Sequence, residues 1–368
     1  MTTSNLSTER IGRLQAHMRQ ANVDLAAIAP TANMRYLLGF APFADERFCA
    51  LLVTPQATSF VVPELNADQV EAHTGLTVIR WSDAAGPDQA LAQALHELGP
   101  GPHSVLAADD SMRADALLLL QEMVRPGQSV MAGDLMTPLR VRKSAAEIEL
   151  LAQAAALADQ ALLAGAAACQ PGVTEREVAH EITNYFRQNG AESVDFVIVA
   201  SGPNGAFPHH ETGQRRLQPG DAVILDLGAT LNGYKSDLTR VVHLGQPSAE
   251  IQAAYQAVLE ANQRGRAAAL AGAKAREVDR AARQAIEQAG YGPFFRHRTG
   301  HGLGLEIHEP PWITAESETI LEPGMVFSVE PGVYLPDQFG IRIEDIIVVT
   351  EGECRCLTGL DHQLIVKG

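Results

Sequence analysis

At roughly 100–200 residues per domain, 368 residues leave room for two or three domains. A hydrophobic fraction of 46%, a charged fraction of 20%, 31 glycines and 20 prolines exclude a collagenous, coiled-coil or wholly disordered chain. The formal net charge of -16, from 28 basic against 44 acidic residues, argues against a nucleic-acid or anionic-membrane partner, because such binders need a cationic face.

Residues 1–10 lack the basic start and apolar core of a secretory signal, and no unbroken run of about 18 apolar residues occurs, so the expected location is the cytoplasm. Residues 1–135 then alternate two patterns. Short apolar runs at 25–29, 48–53, 60–62, 78–81 and 105–107 predict strands, and helical spacing appears around 8–20, 88–98 and 112–124. This half reads as a mixed α/β domain without a Gly-rich phosphate loop. A boundary is expected near Gly133-Asp-Leu-Met-Thr-Pro138, with a second domain over 136–368.

The second domain opens with two capping boxes, Ser144-Ala-Ala-Glu147 and Thr174-Glu-Arg-Glu177, each starting a helix. The first ends at Pro171-Gly172 and the second at Asn189-Gly190, with strand-like runs from about 194 to 244. The order then recurs: helical patterns at 249–271 and 275–289, strands from 293 onward. Letters recur as well. Gly172, Arg176-Glu177-Val178, Gln188 and Gly190 match Gly272, Arg276-Glu277-Val278, Gln288 and Gly290 at an offset of 100. Leu217-Gln-Pro-Gly220 matches Leu321-Glu-Pro-Gly324 at an offset of 104. We read two αα-then-β units fused by duplication.

The duplication places acids. Asp226 sits in an apolar run and Glu330 in its counterpart 104 residues on. A carboxylate inside a buried strand costs several kcal/mol unless it is paired, protonated or bound to a cation. Asn232-Gly233 is a two-residue hairpin signal; closing the chain there sets Asp226 opposite Thr239, with Asp237 diagonal on the same face, about 7–8 Å away at the backbone. A loop centred on Asp337 sets Glu330 opposite Glu344. Four such acids need counter-charge. Arg240 and Arg342 are the residues for an ion-pair network; divalent metals are the better candidate, because carboxylate and imidazole suit Mn²⁺, Zn²⁺ or Co²⁺.

Histidines support the metal. His209, His210, His297, His301 and His308 all fall in the duplicated half. The spacing of seven between His301 and His308 puts their rings on opposite faces of a regular strand, so that one ligates and the other acts elsewhere, unless the intervening glycines bend the chain. Four acids and a histidine exceed what one ion needs, and two ions about 3.5–4 Å apart form a hydrolytic site. Four cysteines make no disulfide scaffold, and Cys354 with Cys356 supplies only two of the ligands a structural zinc requires.

The motifs that carry this chemistry also carry a resemblance. They are Leu139-Arg-Val-Arg-Lys-Ser144 with Glu147, Val199-Ala-Ser-Gly-Pro-Asn204, Asp226-Leu-Gly-Ala229, Gly233-Tyr-Lys-Ser-Asp-Leu-Thr-Arg240, His297-Arg-Thr-Gly-His-Gly-Leu-Gly-Leu-Glu-Ile-His-Glu-Pro-Pro311, Glu330-Pro-Gly332 and Arg342-Ile-Glu344. Through them the second half resembles the pita-bread metallopeptidases, specifically the prolidase and Xaa-Pro aminopeptidase group. The first half, chiefly through Thr31-Ala-Asn-Met-Arg-Tyr-Leu-Leu-Gly-Phe40, is similar to the creatinase-type amino-terminal domain. The implied fold class is α/β (α+β), a creatinase-like domain followed by a pita-bread domain with an internal pseudo-twofold duplication.

The resemblance implies that Asp226 chelates one metal, that Asp237 and Glu344 bridge two, and that His301 and Glu330 hold the second. It further implies that a hydroxide between the metals is the nucleophile, and that Glu330 shuttles its proton to the leaving proline nitrogen. His209 and His308 match histidines that contact substrate and stabilise the oxyanion, and His297 matches a further pocket histidine. Arg342 matches an arginine associated with the substrate carboxylate or with site geometry; its plainer role is to neutralise the acids. His210 has no counterpart and is read as structural or pocket-lining. The implied substrate is an Xaa-Pro peptide, the implied metal Mn²⁺ (with Zn²⁺ and Co²⁺ as alternatives), and the implied assembly a homodimer.

Within the group, a dipeptidase acting on Xaa-Pro competes with an aminopeptidase trimming Xaa-Pro from longer peptides, the two differing in whether the first domain closes the pocket beyond the proline. His-Arg-Thr-Gly-His and the compact length favour the dipeptidase. Readings from other classes are a non-catalytic pita-bread binding protein and a metal-free creatinase-like amidinohydrolase. Both disagree with the full ligand set.

Overall fold

The computed structural model describes residues 3–368; Met1 and Thr2, at the start of the segment read as lacking a signal, lie outside the described residues. The chain divides into two units at Arg140 and Val141. The first contains α1 (Thr3–Ala21), β1 (Leu25–Ile28), α2 (Ala32–Leu38), β2 (Ala50–Val53), β3 (Thr58–Pro63), α3 (Glu64–Thr74), β4 (Val78–Trp81), α4 (Asp88–Leu98), β5 (Val105–Ala108), α5 (Ala114–Val124), β6 (Gln128–Met131) and α6 (Gly133–Arg140). The strands form one sheet in the order β4-β3-β2-β1-β5-β6, parallel except where β2 meets β1 and β3. Every residue of β1 and β2 is buried, which is why these strands read as continuous apolar runs rather than alternating ones.

Four elements of this unit escaped the periodicity reading: α2, α3, α6 and β6. Helix α2 is only seven residues long and is defined by its ends, with the Thr31 side chain capping the Asn33 amide and Gly39 in the left-handed region. Helix α6 contains Pro138 and occupies the segment expected to be a boundary. Its Leu135, Met136 and Leu139 are buried, so the first unit runs past residue 135 to Arg140.

The second unit contains α7 (Ala145–Ala168), α8 (Glu175–Gln188), β7 (Ser193–Ser201), β8 (Ala222–Leu231), β9 (Tyr234–Lys235) and β10 (Leu238–Leu244). The repeat follows with α9 (Ala249–Ala268), α10 (Ala275–Gln288), β11 (Gly300–Gly302), β12 (Glu309–Ile313), β13 (Val326–Val329), β14 (Gly332–Leu335), β15 (Phe339–Arg342), β16 (Asp345–Val348), β17 (Arg355–Cys356) and β18 (Ile365–Lys367). Both capping boxes form as the sequence predicts, on Ser144 with Glu147 and on Thr174 with Glu177. The duplication is visible in the backbone: Gly172 and Gly272 take φ 89° and 85°, Gly190 and Gly290 take 91° and 86°, and Gly220 and Gly324 take 91° and 90°. A left-handed turn that an L side chain resists has been kept at matching places in both halves.

The sheets are β18-β10-β8-β7 with β9 on β8, β12-β11-β13-β16-β17, and the pair β14-β15. Helices α7 and α8 cover the first through Leu162, Ile182 and Phe186 against Val199, Val223 and Leu225. Helices α9 and α10 pack on Val333, Tyr334 and Ile341 through Tyr255, Val258 and Ile286. Helix α7, whose apolar stretch is interrupted by Glu147, Glu149 and Asp159, has the length and composition of a membrane span, but half of that stretch is buried inside the protein.

Candidate metal centre

The two hairpins bring the acids to one place. Asn232 and Gly233 turn with φ 50° and 80°, and the ladder that results pairs Asp226 with Thr239. Asp237 precedes β10, beyond a short interruption at Ser236, whose amide still bonds Ala229. In the repeat, Asp337 takes φ 61° and sets Gly332 opposite Arg342, the register that faces Glu330 toward Glu344. Both acids lie where the pairing breaks between β13–β16 and β14–β15. There the Glu330 amide turns to Thr299 and the Glu344 amide turns across to Thr239 of the first repeat.

Asp237, His301 and Glu344 offer ligand atoms within 4.8 Å of one another, the one such trio among the described residues. His301 Nε2 lies 3.2 Å from Glu330 Oε1 and 3.7 Å from Asp237 Oδ2. Burial, then the Asp226 charge, push the Asp237 carboxyl well above the usual range, and burial with the Asp237 charge does the same to Glu344. Glu330 goes the other way: burial opposes ionisation, but the hydrogen bond and charge of His301 outweigh it and leave Glu330 at about 2. Asp237 and Glu344 therefore suppress each other's ionisation as long as no cation joins them.

Arg342 supplies part of the counter-charge. Its Nη2 donates to Asp226 Oδ2, while Asp226 Oδ1 is buried with no hydrogen-bond partner. A buried acceptor left bare beside clustered carboxylates fits a divalent cation and is costly otherwise. Arg240, proposed with Arg342 as a counter-ion, does something else: it is buried in an ion pair with Asp345 and donates to the Glu344 carbonyl, away from the acid cluster.

The histidines divide by environment. The His301 and His308 rings meet edge to face with centroids 4.3 Å apart. The expectation of opposite faces fails because β11 ends at Gly302 and the glycine-rich segment turns back, with Gly302 and Gly304 packed against Pro310 and Glu309 too closely for a side chain. Burial and the His301 charge lower His308 to about 4, so it is neutral near pH 7. His209 is exposed on the segment between β7 and β8. His297 has both ring nitrogens engaged, Nδ1 with the Arg298 carbonyl at 2.7 Å and Nε2 with the Tyr334 hydroxyl at 2.8 Å. A carbonyl only accepts, so Nδ1 carries the proton and Tyr334 donates to Nε2 while accepting from Arg342 Nη1 at 2.7 Å. Burial lowers the His297 pKa in keeping with that neutral form. His210 bonds Glu175 and is structural, one of the two roles expected of it.

Sequence reasoning missed three supports of this site: Tyr334, Thr239, whose hydroxyl donates to Glu344 Oε2 at 2.8 Å, and Ser328, which accepts the His301 amide and donates to Glu330. Thr239 was available from the register that paired it with Asp226; the other two sit in apolar runs without a distinguishing pattern. Cys354 and Cys356 share Arg266, one donating to its carbonyl and the other accepting from its guanidinium, and no third ligand joins them among the described residues.

The sequence profile of metallopeptidase family M24 matches residues 149–351, more than half the chain, and spans every acid and histidine of this centre. The chain belongs to metallopeptidase family M24. The profile of the creatinase/prolidase N-terminal domain matches residues 10–141. The chain is thus a metallopeptidase of a family that implies divalent metal ions, and Asp237, His301 and Glu344 form a cluster able to hold one. It is 33% identical to the Xaa-Pro dipeptidase of Pyrococcus furiosus over 97% of this chain and 99% of that one. The crystal structure of dipeptidase PepE from Mycobacterium ulcerans superposes with a TM-score of 0.92 at 38% identity, covering 100% of this chain and 99% of that one. The prolidase from Thermococcus sibiricus gives 0.93 at 36% identity, covering 98% and 99%.

Proposed function

We propose that this M24 enzyme hydrolyses Xaa-Pro dipeptides. The observation that carries the reading is the cluster of Asp237, His301 and Glu344, with Glu330 at 3.2 Å from His301 and Asp226 keeping an unsatisfied oxygen, in a chain similar over nearly its full length to an Xaa-Pro dipeptidase and a prolidase. Asp226, Asp237 and Glu344 would hold one divalent ion, and Asp237, Glu344, His301 and Glu330 a second; oxygen-rich coordination favours Mn²⁺. Bound there, such ions supply Lewis-acid polarisation of the scissile carbonyl and a water acidic enough to ionise near pH 7.

The chain's own residues do the rest. Glu330, kept ionised by His301, can take a proton from water and pass it to the proline nitrogen as that nitrogen leaves. Neutral His308 is available as a hydrogen-bond donor to the developing oxyanion, and exposed His209 as a contact for bound substrate. Tyr334 and Arg342 fix the His297 ring and the Asp226 carboxylate in a single hydrogen-bonded line. An X-Pro bond lacks the N–H that many peptidases engage, and attack on the carbonyl at this centre makes no use of one. A cytoplasmic homodimer is the setting we propose.

The deciding experiment compares rates on Ala-Pro and Ala-Pro-Ala-Ala with Mn²⁺ present. Preferential cleavage of the dipeptide is expected. Faster cleavage of the longer peptide would move the assignment to an Xaa-Pro aminopeptidase, and no cleavage of either would remove the X-Pro reading.

A further inference from the structure

Glu175, in the first turn of α8, is fully buried, and its carboxylate accepts five hydrogen bonds. Oε1 takes the Ser201 amide at 2.8 Å, the Ser201 hydroxyl at 2.7 Å and Asn204 Nδ2 at 2.9 Å. Oε2 takes His210 Nε2 at 2.9 Å and the Gly213 amide at 3.2 Å. All five donors lie in residues 201–213, the segment that leaves β7 and carries His209. Beyond a short 3-10 turn at Gly202–Ala206, no repeating ladder fixes this stretch, and its largest set of shared hydrogen bonds converges on one carboxylate of a neighbouring helix.

The second repeat uses the same grip. Asp279 of α10 accepts both the Thr299 amide at 3.2 Å and the Thr299 hydroxyl at 2.8 Å on a single oxygen, Oδ1, as Glu175 does with Ser201. Thr299 stands between His297 and His301. In each half, a buried helix acid therefore holds the amide and hydroxyl of one residue in a segment that carries histidines.

We propose that Glu175 is a positioning residue for substrate binding: its carboxylate sets the path of residues 201–213 and through it the place of the His209 ring. The proposal rests on the reading of His209 as a substrate contact. Glu175→Gln keeps the volume but replaces one acceptor oxygen by an NH₂ group that faces further donors, so the grip loosens without opening a cavity.

The test combines E175Q, H209A and the double variant, with Mn²⁺-loaded protein and Ala-Pro as substrate, and follows amide hydrogen exchange over residues 201–213. Expected for E175Q are unchanged metal content, a KM raised roughly tenfold with kcat changed less than about threefold, and faster exchange confined to that segment. In the H209A background the same change should raise KM less than about twofold, because the two residues act through one contact. Equal effects in both backgrounds, an unchanged KM or unchanged exchange would each overturn the proposal. Exchange needs no turnover: an inactive wild type with a loosened segment in E175Q would count against the X-Pro reading alone. Should E175Q fail to fold, Asn204→Ala removes one donor at a half-buried position, and the same signature is expected at roughly twofold.

Discussion

Arg342 donates to one oxygen of Asp226 and leaves the other, Oδ1, buried and without a partner. The guanidinium thus neutralises part of the acid cluster while leaving an electron pair free inside it. A divalent cation bound there would satisfy that oxygen and relieve the repulsion among Asp226, Asp237, Glu330 and Glu344.

Metal should therefore stabilise the fold. A ligand at a hundred times its Kd contributes about 2.7 kcal/mol to a protein that binds it only when folded. Thermal unfolding of chelator-treated protein, with and without Mn²⁺, is expected to show a rise in Tm, smaller in Asp226→Asn. An identical Tm with and without metal would contradict the assignment.

Asp237→Ala or Glu344→Ala each removes a ligand assigned to both ions and should lower turnover at least about 10²-fold. Metal analysis alongside the rate measurement should show reduced occupancy; near-normal rates would mean that these acids bridge nothing.

The pH dependence of stability follows from Glu175. Burial opposes its ionisation, but hydrogen bonds from Ser201, His210 and Asn204 prevail and its pKa is lowered on folding. A depressed carboxyl stabilises the fold fully above its unfolded pKa of about 4.3, and that contribution is lost as pH falls through the folded value. The stability difference between wild type and Glu175→Gln, read from urea unfolding, should be largest near pH 7 and shrink below about pH 4. A difference that grows on acidification would reverse the sign.

Arg240 is fully buried against Asp345 and also bonds the carbonyls of Thr239, Glu344 and Leu360. Arg240→Leu leaves Asp345 only His362, Thr358 and the Arg266 guanidinium at 3.6 Å, so the effect should be at most about 3 kcal/mol, the low end for a broken buried pair. The loss should appear as a lower urea midpoint.

Gly340 packs against Gly205 so closely that a Cβ on Gly340 would collide with the Gly205 carbonyl. Gly340→Ala must displace the segment that carries His209, at a cost of roughly 1–3 kcal/mol. A higher KM for Ala-Pro with unchanged metal content is the expected reading.

Much of this was written in one dimension. Helix starts at Ser144 and Thr174 follow from a hydroxyl and a glutamate three residues apart, because that pairing satisfies the amides of a helix end locally. The register that faces Asp226 with Thr239 follows from Asn232-Gly233, because two residues tolerant of positive φ allow only one short turn. The repeat spacing likewise told that two acid-bearing hairpins would exist, and the M24 motifs named the same acids.

Other features depend on which backbone lies beside which. Arg240 and Arg342 look equivalent along the chain, yet one meets Asp345 and the other Asp226, because each side chain takes the acid that its sheet packing presents. The edge-to-face contact of His301 with His308 required the turn after Gly302, which strand periodicity does not encode. Tyr334 and Glu175 gave no sign at all: a tyrosine in an apolar run and a glutamate in a first helical turn have ordinary local explanations, and their roles arise from partners far along the sequence. The sequence by itself determined the acids, their turns and their twofold repetition, since these rest on local backbone chemistry. Tertiary structure alone decided how charge is shared among them and what holds the histidines in place, since both depend on contacts between segments that only folding makes neighbours.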